Sequence, residues 1–235
     1  MKIGLLGSNG FVGNEIKKLL LAKKYNFKPI HRLNFKKYVK YKFDIVINCS
    51  MPSKRFWAKK NPKKDYIETV EKTSFFLKNY KFKKFIHISS ISARCEKNTV
   101  YGKNKKISEI LVKNNNNKNL IIRLGPMFGK SLKKGVLIDM LNSKTVFING
   151  KSKYSFTNIK WIANWIIQNM KNKKGLLEIG SKDYIKLISI RDKIKSKSKF
   201  VGRLDNQIII NKEKYKISSN EVYRFLKGKL SEKTN

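Results

Sequence analysis

Acidic side chains are scarce in this chain. Fifteen Asp and Glu stand against 55 Lys and Arg over 235 residues, a formal net charge of +40. So large an imbalance ordinarily directs attention to nucleic acid. Arginine is scarce as well: only seven of the 55 basic residues are Arg32, Arg55, Arg94, Arg123, Arg191, Arg203 and Arg224. Dedicated readers of phosphate and guanine use the bidentate arginine fork, which a lysine cannot replace. The lysines are spread over nearly the whole chain among abundant asparagines, with a low-complexity run at Asn114–Asn117. This is compositional drift toward Lys and Asn on solvated surfaces, as an AT-rich coding sequence imposes, and no specific nucleic-acid partner is expected. Two cysteines, Cys49 and Cys95, have neither metal-ligand spacing nor enough partners for a disulfide framework, so they read as free thiols and no metal is expected. No apolar run approaches a membrane span, and the N-terminus leads directly into a strand-like segment with no charged leader. The expectation is a soluble, cytoplasmic protein without a membrane partner, built as one domain or one domain with a small appendage.

Glycine is sparse too, at 13 residues, yet Gly4, Gly7, Gly10 and Gly13 open the chain at three-residue spacing. Lys2 to Leu6 reads as a short buried strand and Asn14 to Ala22 has helical periodicity, so the glycines fall at a strand-to-helix turn. That context is a dinucleotide-binding signature. Gly7 permits the tight turn, Gly10 lets a pyrophosphate approach the backbone, and Gly13 lets the helix pack on the strand. Ser8, Asn9, Phe11 and Val12 complete the cofactor-binding turn, with Phe11 and Val12 packing beneath the dinucleotide, and the helix N-terminus faces the phosphates with free N–H groups.

Strands and helices alternate along the rest of the chain. Asn26 to Arg32 reads as a second strand whose Pro29 belongs at a sheet edge. From Asn34 there is only about one helix's worth of residues before the apolar strand Phe43 to Cys49, so a third strand is missing and the second becomes the edge. A helix near Asp65 to Asn79, a buried strand Lys84 to Ser89, a helix from Tyr101 and a strand Leu120 to Leu124 follow. Beyond the loop Gly125 to Gly129 come a strand Thr145 to Asn149, helix Ile159 to Met170, strand Leu176 to Ile179, helix Tyr184 to Ile194 and a short helix near Ser219 to Leu226. The alternation predicts an α/β fold: a doubly wound parallel sheet with helices on both faces. Open sheets of this kind bind ligands outside the carboxyl ends of their strands, which places Cys49, Ser50 and Met51 beside the cofactor and Gly125, Pro126 and Met127 on its nicotinamide side. His87, inside an apolar strand, reads as a packed core residue. Trp161 and Trp165, at i and i+4, read as one buried helix face.

GSNGFVG, FDIVINCS, KFIHISSIS, YGKNK with Glu109 a few residues on, and IIRLGPMFG occur in an order that resembles NAD(P)-dependent epimerases and dehydratases. These form the extended branch of the short-chain dehydrogenase/reductases. The resemblance covers roughly residues 1 to 180 and implies a Rossmann-like NAD(P)-binding domain there, with residues 181–235 as a C-terminal appendage on the substrate side and a mobile tail from about 227. It implies a serine or threonine ending the family's fifth strand, here the strand Lys84 to Ser89, matched by Ser90 with Ser92 as fallback and Ser89 alongside on the cofactor. It also implies a tyrosine and a lysine one turn apart on the next helix. Four of the ten tyrosines have a lysine four residues later, namely Tyr38, Tyr80, Tyr101 and Tyr223. Only Tyr101 with Lys105 lies between the serine-ended strand and the strand carrying Arg123. On this reading Ser90 holds the substrate oxygen, Tyr101 passes a proton, and Lys105 binds the nicotinamide ribose and favours the phenolate.

The implied activity is that of an oxidoreductase acting on a small molecule, a nucleotide sugar or a related carbonyl or hydroxyl compound. Extended members are usually longer, and many separate serine from tyrosine by more than the 11 residues found here. Where NAD-preferring members place an acid, this chain has His31 and Arg32, which suit a 2′-phosphate and favour NADP(H) modestly over NAD(H). The oligomeric state stays open, a homodimer being compatible. The alternative is a catalytically silent dinucleotide-binding sensor or an RNA-binding relative, which would have less reason to keep Ser90, Tyr101 and Lys105. If the lysine excess is solvated surface, RNA or DNA binding in an anisotropy titration will vanish by moderate salt without sequence preference. Sequence-selective binding that persists near physiological salt would favour the RNA-binding alternative.

Overall fold

The computed structural model describes residues 1–210 and 216–234. Two compact units are formed, one from Met1–Leu124 with Ala163–Leu177 and the other from Gly125–Ile162 with the chain from Glu178 on. The segment 125–162, read from sequence as part of the 1–180 domain, therefore groups with C-terminal residues.

In the first unit β1 (Lys2–Leu6) is buried from Ile3 onward and feeds through the glycine turn into α1 (Phe11–Ala22) and β2 (Asn26–Ile30). Next come β3 (Lys42–Asn48), the short helices α2 (Arg55–Lys60) and α3 (Pro62–Tyr66), a π-helical turn at Ile67–Glu71 and α4 (Lys72–Asn79). β4 (Lys81–Ser90), the single turn α5 (Ser92–Cys95), α6 (Val100–Asn115) and β5 (Leu120–Leu124) complete this run. The chain continues through β6 (Met127–Phe128), α7 (Val136–Leu141), β7 (Lys153–Tyr154), β8 (Thr157–Asn158) and α8 (Ile159–Asn169). Last are β9 (Gly175–Ile179), β10 (Ile185–Lys186), α9 (Leu187–Lys193) and α10 (Glu221–Thr234).

The main sheet has six strands in the order β2-β1-β3-β4-β5-β9, and the pairings among β1 to β5 are parallel. It is a doubly wound α/β sheet with Rossmann-like order. Crossovers run outward in one direction from β1 to β2 and in the other from β3 onward, which puts the topological switch point between β1 and β3. The central strands are nearly continuous apolar runs because helices cover both faces; all five residues of β5 are buried.

β2 is the sheet edge, and Pro29 lies opposite Leu5, so its missing N–H faces no further strand. The missing third strand is replaced by one 3₁₀ turn over Phe35–Tyr38. That turn sits in an aromatic cluster: Phe35 meets Phe75 edge-on at 5.7 Å, Phe43 stacks on Tyr80 at 6.3 Å, and the Tyr80 hydroxyl donates to the Phe35 carbonyl. Aromatic area does here what a strand and its helix would otherwise do, covering the face beside Phe43 and Val46.

The second unit has its own core, with Phe128, Leu137, Met140, Tyr154, Phe156, Leu187, Ile190 and Val222 among its members. Two expectations fail in this unit. Thr145 to Asn149 is not a strand but a loop with a single bridge from Val146 to Phe200. The helix read from Tyr184 begins at Leu187, because Ile185 and Lys186 pair with Tyr154 and Lys153 instead. Trp165 of α8 is buried, whereas Trp161 is only half-buried. No helix among the described residues is long and apolar enough to cross a membrane.

The glycine turn divides its labour. Gly7 has φ +74°, and a Cβ there would lie 2.6 Å from the Cys49 carbonyl oxygen. A Cβ on Gly13 would lie 2.2 Å from the Gly7 carbonyl oxygen. Gly10 has φ −74° and ψ 170°, ordinary for any residue, and a Cβ there meets nothing closer than 3.2 Å. Gly13→Ala is accordingly expected to cost about 3 kcal/mol or more, while Gly10→Ala stays within about 1 kcal/mol of wild type. Urea unfolding of both variants checks this; equal losses would contradict the division.

Candidate functional site

At the carboxyl end of β1 the turn is closed by Gly7 N–H donating to the Ile30 carbonyl at 2.8 Å and Gly10 N–H donating to the Gly7 carbonyl at 2.9 Å. Ser8 is fully buried, Asn9 and Gly10 are exposed, and Phe11 and Val12 are half-buried. Two glycines are thus demanded by the protein's own packing. The third keeps its face toward solvent at the start of a 12-residue helix, a cradle that a side chain would fill and a phosphate can enter.

The carboxyl end of β3 lies next to it in the sheet. Asn48 is buried, and its side-chain oxygen accepts from the Ser50 backbone N–H at 3.1 Å and from the Ser50 hydroxyl at 2.7 Å. That fixes the Asn48 amide nitrogen toward His87 Nδ1, 3.4 Å away, so Nδ1 accepts and the imidazole proton sits on Nε2. Nε2–H then donates to the Ser108 hydroxyl oxygen at 3.0 Å, and that hydroxyl donates to the Lys105 carbonyl at 2.8 Å. Burial, with Lys105 adding to it, pulls the His87 pKa down to about 3. His87 is the core residue expected from sequence, and it is one member of a neutral polar chain running from β3 through β4 to α6. Met51 lies against this chain, its sulfur 3.7 Å from the Ser108 hydroxyl. Cys49 is a half-buried free thiol whose pKa burial raises.

Ser90, Tyr101 and Lys105 come together beside this chain. The Ser90 hydroxyl, half-buried at the end of β4, accepts from the Ser92 backbone N–H at 3.2 Å and lies close enough to the Tyr101 phenol to favour its ionised form. Ser92 is buried in α5. Thr99 caps α6 by accepting from the Gly102 N–H at 3.0 Å, and Tyr101 and Lys105 lie one turn apart on that helix. The Lys105 ammonium is 5.0 Å from the Tyr101 ring centre and donates to the Pro52 carbonyl at 2.9 Å. Burial pushes the Tyr101 phenol up to about 12, against the pull of Ser90 and Arg55. Burial likewise brings Lys105 down to about 7, opposed by Asp65 and Glu109.

Other residues singled out from sequence are placed differently. The Ser89 hydroxyl donates to Glu109 Oε1 at 2.7 Å, a carboxylate that Arg123 grips in bidentate fashion at 2.8 and 2.7 Å. The His31 backbone N–H donates to the Asn34 side chain. Arg32 is largely exposed but reaches Glu68 Oε2 at 3.6 Å, so an acid does stand near the end of β2, supplied by the π-helical turn rather than by the strand. Gly125, Pro126 and Met127 belong to the second unit, where the Pro126 carbonyl accepts from Thr157 N–H and Met127 pairs with Thr157.

Sequence reading missed the charged groups around Tyr101. Arg55 donates to Glu96 at 2.7 Å, and both act on the phenol. Asp65 is fully buried and accepts from the Asn104 amide at 2.8 Å. These pairings join residues 39 to 41 positions apart, and no local spacing announces them.

No protein-family profile matches the chain, and no curated protein sequence matches it. Solved structures do. UDP-glucose 4-epimerase of Thermotoga maritima, solved with UDP-glucose, aligns with TM-score 0.81 at 15% identity over 100% of this chain and 99% of its own. The dTDP-4-dehydrorhamnose reductase of Bacillus anthracis, solved with NADP, gives 0.79 at 15% identity over 97% and 99%. UDP-glucuronic acid 4-epimerase of Bacillus cereus, solved with UDP-glucuronic acid and NAD, gives 0.78 at 19% identity over 97% and 99%. At these identities the likeness is one of fold, and the fold is that of the extended epimerase and reductase structures.

The neutral His87 makes a checkable pH prediction. Its folded pKa lies below the unfolded value near 6.5, so below that pH the unfolded chain takes up a proton that the folded chain refuses. The resulting stability is present above pH 6.5 and is lost as pH falls toward 3, at up to about 1.4 kcal/mol per pH unit. Urea unfolding at pH 7, 6 and 5 should show this slope in the wild type and a shallower one in His87→Gln. Equal slopes would mean that His87 is not buried in neutral form.

Proposed function

We propose that the protein is a nicotinamide-dinucleotide-dependent oxidoreductase of the epimerase, dehydratase and reductase type, acting on a nucleotide sugar. One observation carries the reading. A serine hydroxyl, a phenol and an ammonium converge at the end of β4, in the same unit as a glycine turn whose open face suits a pyrophosphate. That the neighbouring folds bind UDP-sugars, NADP and NAD supports the substrate and cofactor classes.

The residues that would hold the dinucleotide are Gly7, Gly10 and Gly13 with the α1 N-terminus at the pyrophosphate, Cys49 to Met51 along its edge, and Lys105 at the nicotinamide ribose. Bound there, a nicotinamide supplies hydride exchange. NADP(H) remains modestly favoured because Arg32 is exposed and charged, although Glu68 competes for its guanidinium. Tyr101 is the proton carrier. With its phenol raised by burial and Lys105 only part-charged near neutrality, the free protein is set for proton donation, the direction that reduction of a sugar carbonyl needs. Ser90, beside the phenol, would hold the same substrate oxygen. In the oxidative direction a phenolate is required, and a fully charged Lys105 would stabilise it.

Two variants test the reading. Gly10→Val should fold and lose NADPH and NADH in calorimetry. Tyr101→Phe should keep cofactor affinity while turnover of a 4-keto nucleotide sugar drops by about 10² to 10⁴, with Tyr38→Phe as an unaffected control. Wild-type turnover in Tyr101→Phe would eliminate the catalytic assignment, and undiminished dinucleotide affinity in Gly10→Val would eliminate the cofactor site.

A further inference from the structure

Asp65 is completely buried in α3, and among the described residues its carboxylate makes no salt bridge. Oδ2 accepts from the neutral Asn104 amide at 2.8 Å. Oδ1 receives no hydrogen bond among the described residues. A buried carboxylate in that condition is strongly unfavourable unless an opposite charge lies close by. The residue after Asn104 is Lys105, itself buried to 2% exposure, with the Pro52 carbonyl as its hydrogen-bond acceptor.

The charges that face Lys105 can be followed element by element. Glu109, one turn along α6, has both oxygens engaged by Arg123 and Ser89, so its charge is largely answered. His87 from β4 is neutral. Tyr101 from α6 is a protonated phenol. Arg55 from α2 and Glu96 after α5 answer one another at 2.7 Å. That leaves Asp65 as the carboxylate without a salt-bridge partner among the described residues, hydrogen-bonded to the residue next to the buried Lys105 and acting on its charge.

We propose that Asp65 is a positioning residue of the site: through Asn104 it fixes the α6 turn that carries Lys105, and its carboxylate places a negative charge where it favours the charged form of that lysine. The proposal rests on the dinucleotide-binding reading only for its second readout below. Asp65 also acts on Tyr101, in the direction that disfavours the phenolate. One carboxylate thus favours a charged lysine and a protonated tyrosine together, the pair required to clasp a ribose and donate a proton.

The test is a mutant cycle of Asp65→Asn, Lys105→Met and the double variant, with urea unfolding from pH 6 to 9. Asparagine keeps the side-chain size and still accepts from Asn104; Asp65→Ser serves if Asp65→Asn does not fold. A buried lysine with a lowered folded value adds stability as pH rises from that value toward its unfolded value of about 10.4. Removing Asp65 lowers the folded value further, so this rise should begin at least about one pH unit lower in Asp65→Asn than in the wild type. In the Lys105→Met background Asp65→Asn should no longer move the profile. Identical profiles in Asp65→Asn and wild type, or a shift that persists without Lys105, would overturn the proposal. The second readout is the pH dependence of NADPH affinity, whose falling limb should move to lower pH in Asp65→Asn. A wild type that does not bind NADPH would end the cofactor reading while leaving the stability readout to decide on Asp65.

Discussion

The arrangement of the site depends on a buried ion pair between α6 and β5. Glu109 and Arg123 are 2% and 7% exposed and meet through two short charge-assisted bonds, with Ser89 supplying a third donor to the carboxylate. Removing either partner of such a pair costs about 3–5 kcal/mol, because the other charge is left buried and unanswered. The pair ties α6 to β5 and β4 at once. Tyr101, Lys105 and Glu109 are spaced by four residues along α6 and share one helix face. Fixing the rotation of that face at Glu109 therefore aims the phenol and the ammonium toward the end of β4, where Ser90 waits.

A second constraint is electrically neutral. The chain of hydrogen bonds from Ser50 through Asn48, His87 and Ser108 ends on the backbone carbonyl of Lys105. Each member has only one self-consistent donor and acceptor assignment once the Ser50 N–H is fixed, so the chain transmits geometry without carrying charge. A protonated His87 would have no acceptor at Nδ1 and would repel Lys105. Holding it neutral protects the lysine's position and its charge together, and it explains why a histidine inside an apolar strand belongs to the scaffold of the site rather than to its chemistry.

Much of this was legible in the sequence wherever the controlling physics is local. The strand, glycine turn and helix at the N-terminus are written in the consecutive residues Lys2 to Ala22. Pro29 marked the edge strand, and the shortage of residues before Phe43 marked the missing one. Legibility ended where partners are distant. Asp65 meets Asn104, Arg55 meets Glu96, and the acid near Arg32 is Glu68 of a helical turn rather than a residue of β2. The same limit explains the two errors in the second unit. Thr145 to Asn149 and Tyr184 have the right composition for a strand and a helix start, but the pairing of Ile185 with Tyr154 and the single bridge at Val146 are set by tertiary neighbours.

Abundance of lysine made the most telling motif the least trustworthy, and burial followed by secondary structure restores its meaning. Four tyrosines are followed by a lysine at the fourth position, yet among the described residues only Lys84 and Lys105 are buried lysines. Both follow such a tyrosine. Lys84 lies on β4, and its ammonium donates to the carbonyls of Lys171 and Lys173 just beyond α8; Tyr80, ahead of β4, gives its hydroxyl to Phe35. That pair has separate structural duties, because residues four apart at a helix-to-strand junction need share neither partner nor purpose. Tyr101 and Lys105 lie on one helix, where a spacing of four means a common face, and the lysine stands over the ring of its own tyrosine. A motif counted along the chain is therefore ambiguous in this composition. The secondary structure beneath it separates a pair that shares one helix face from a pair whose members have unrelated partners.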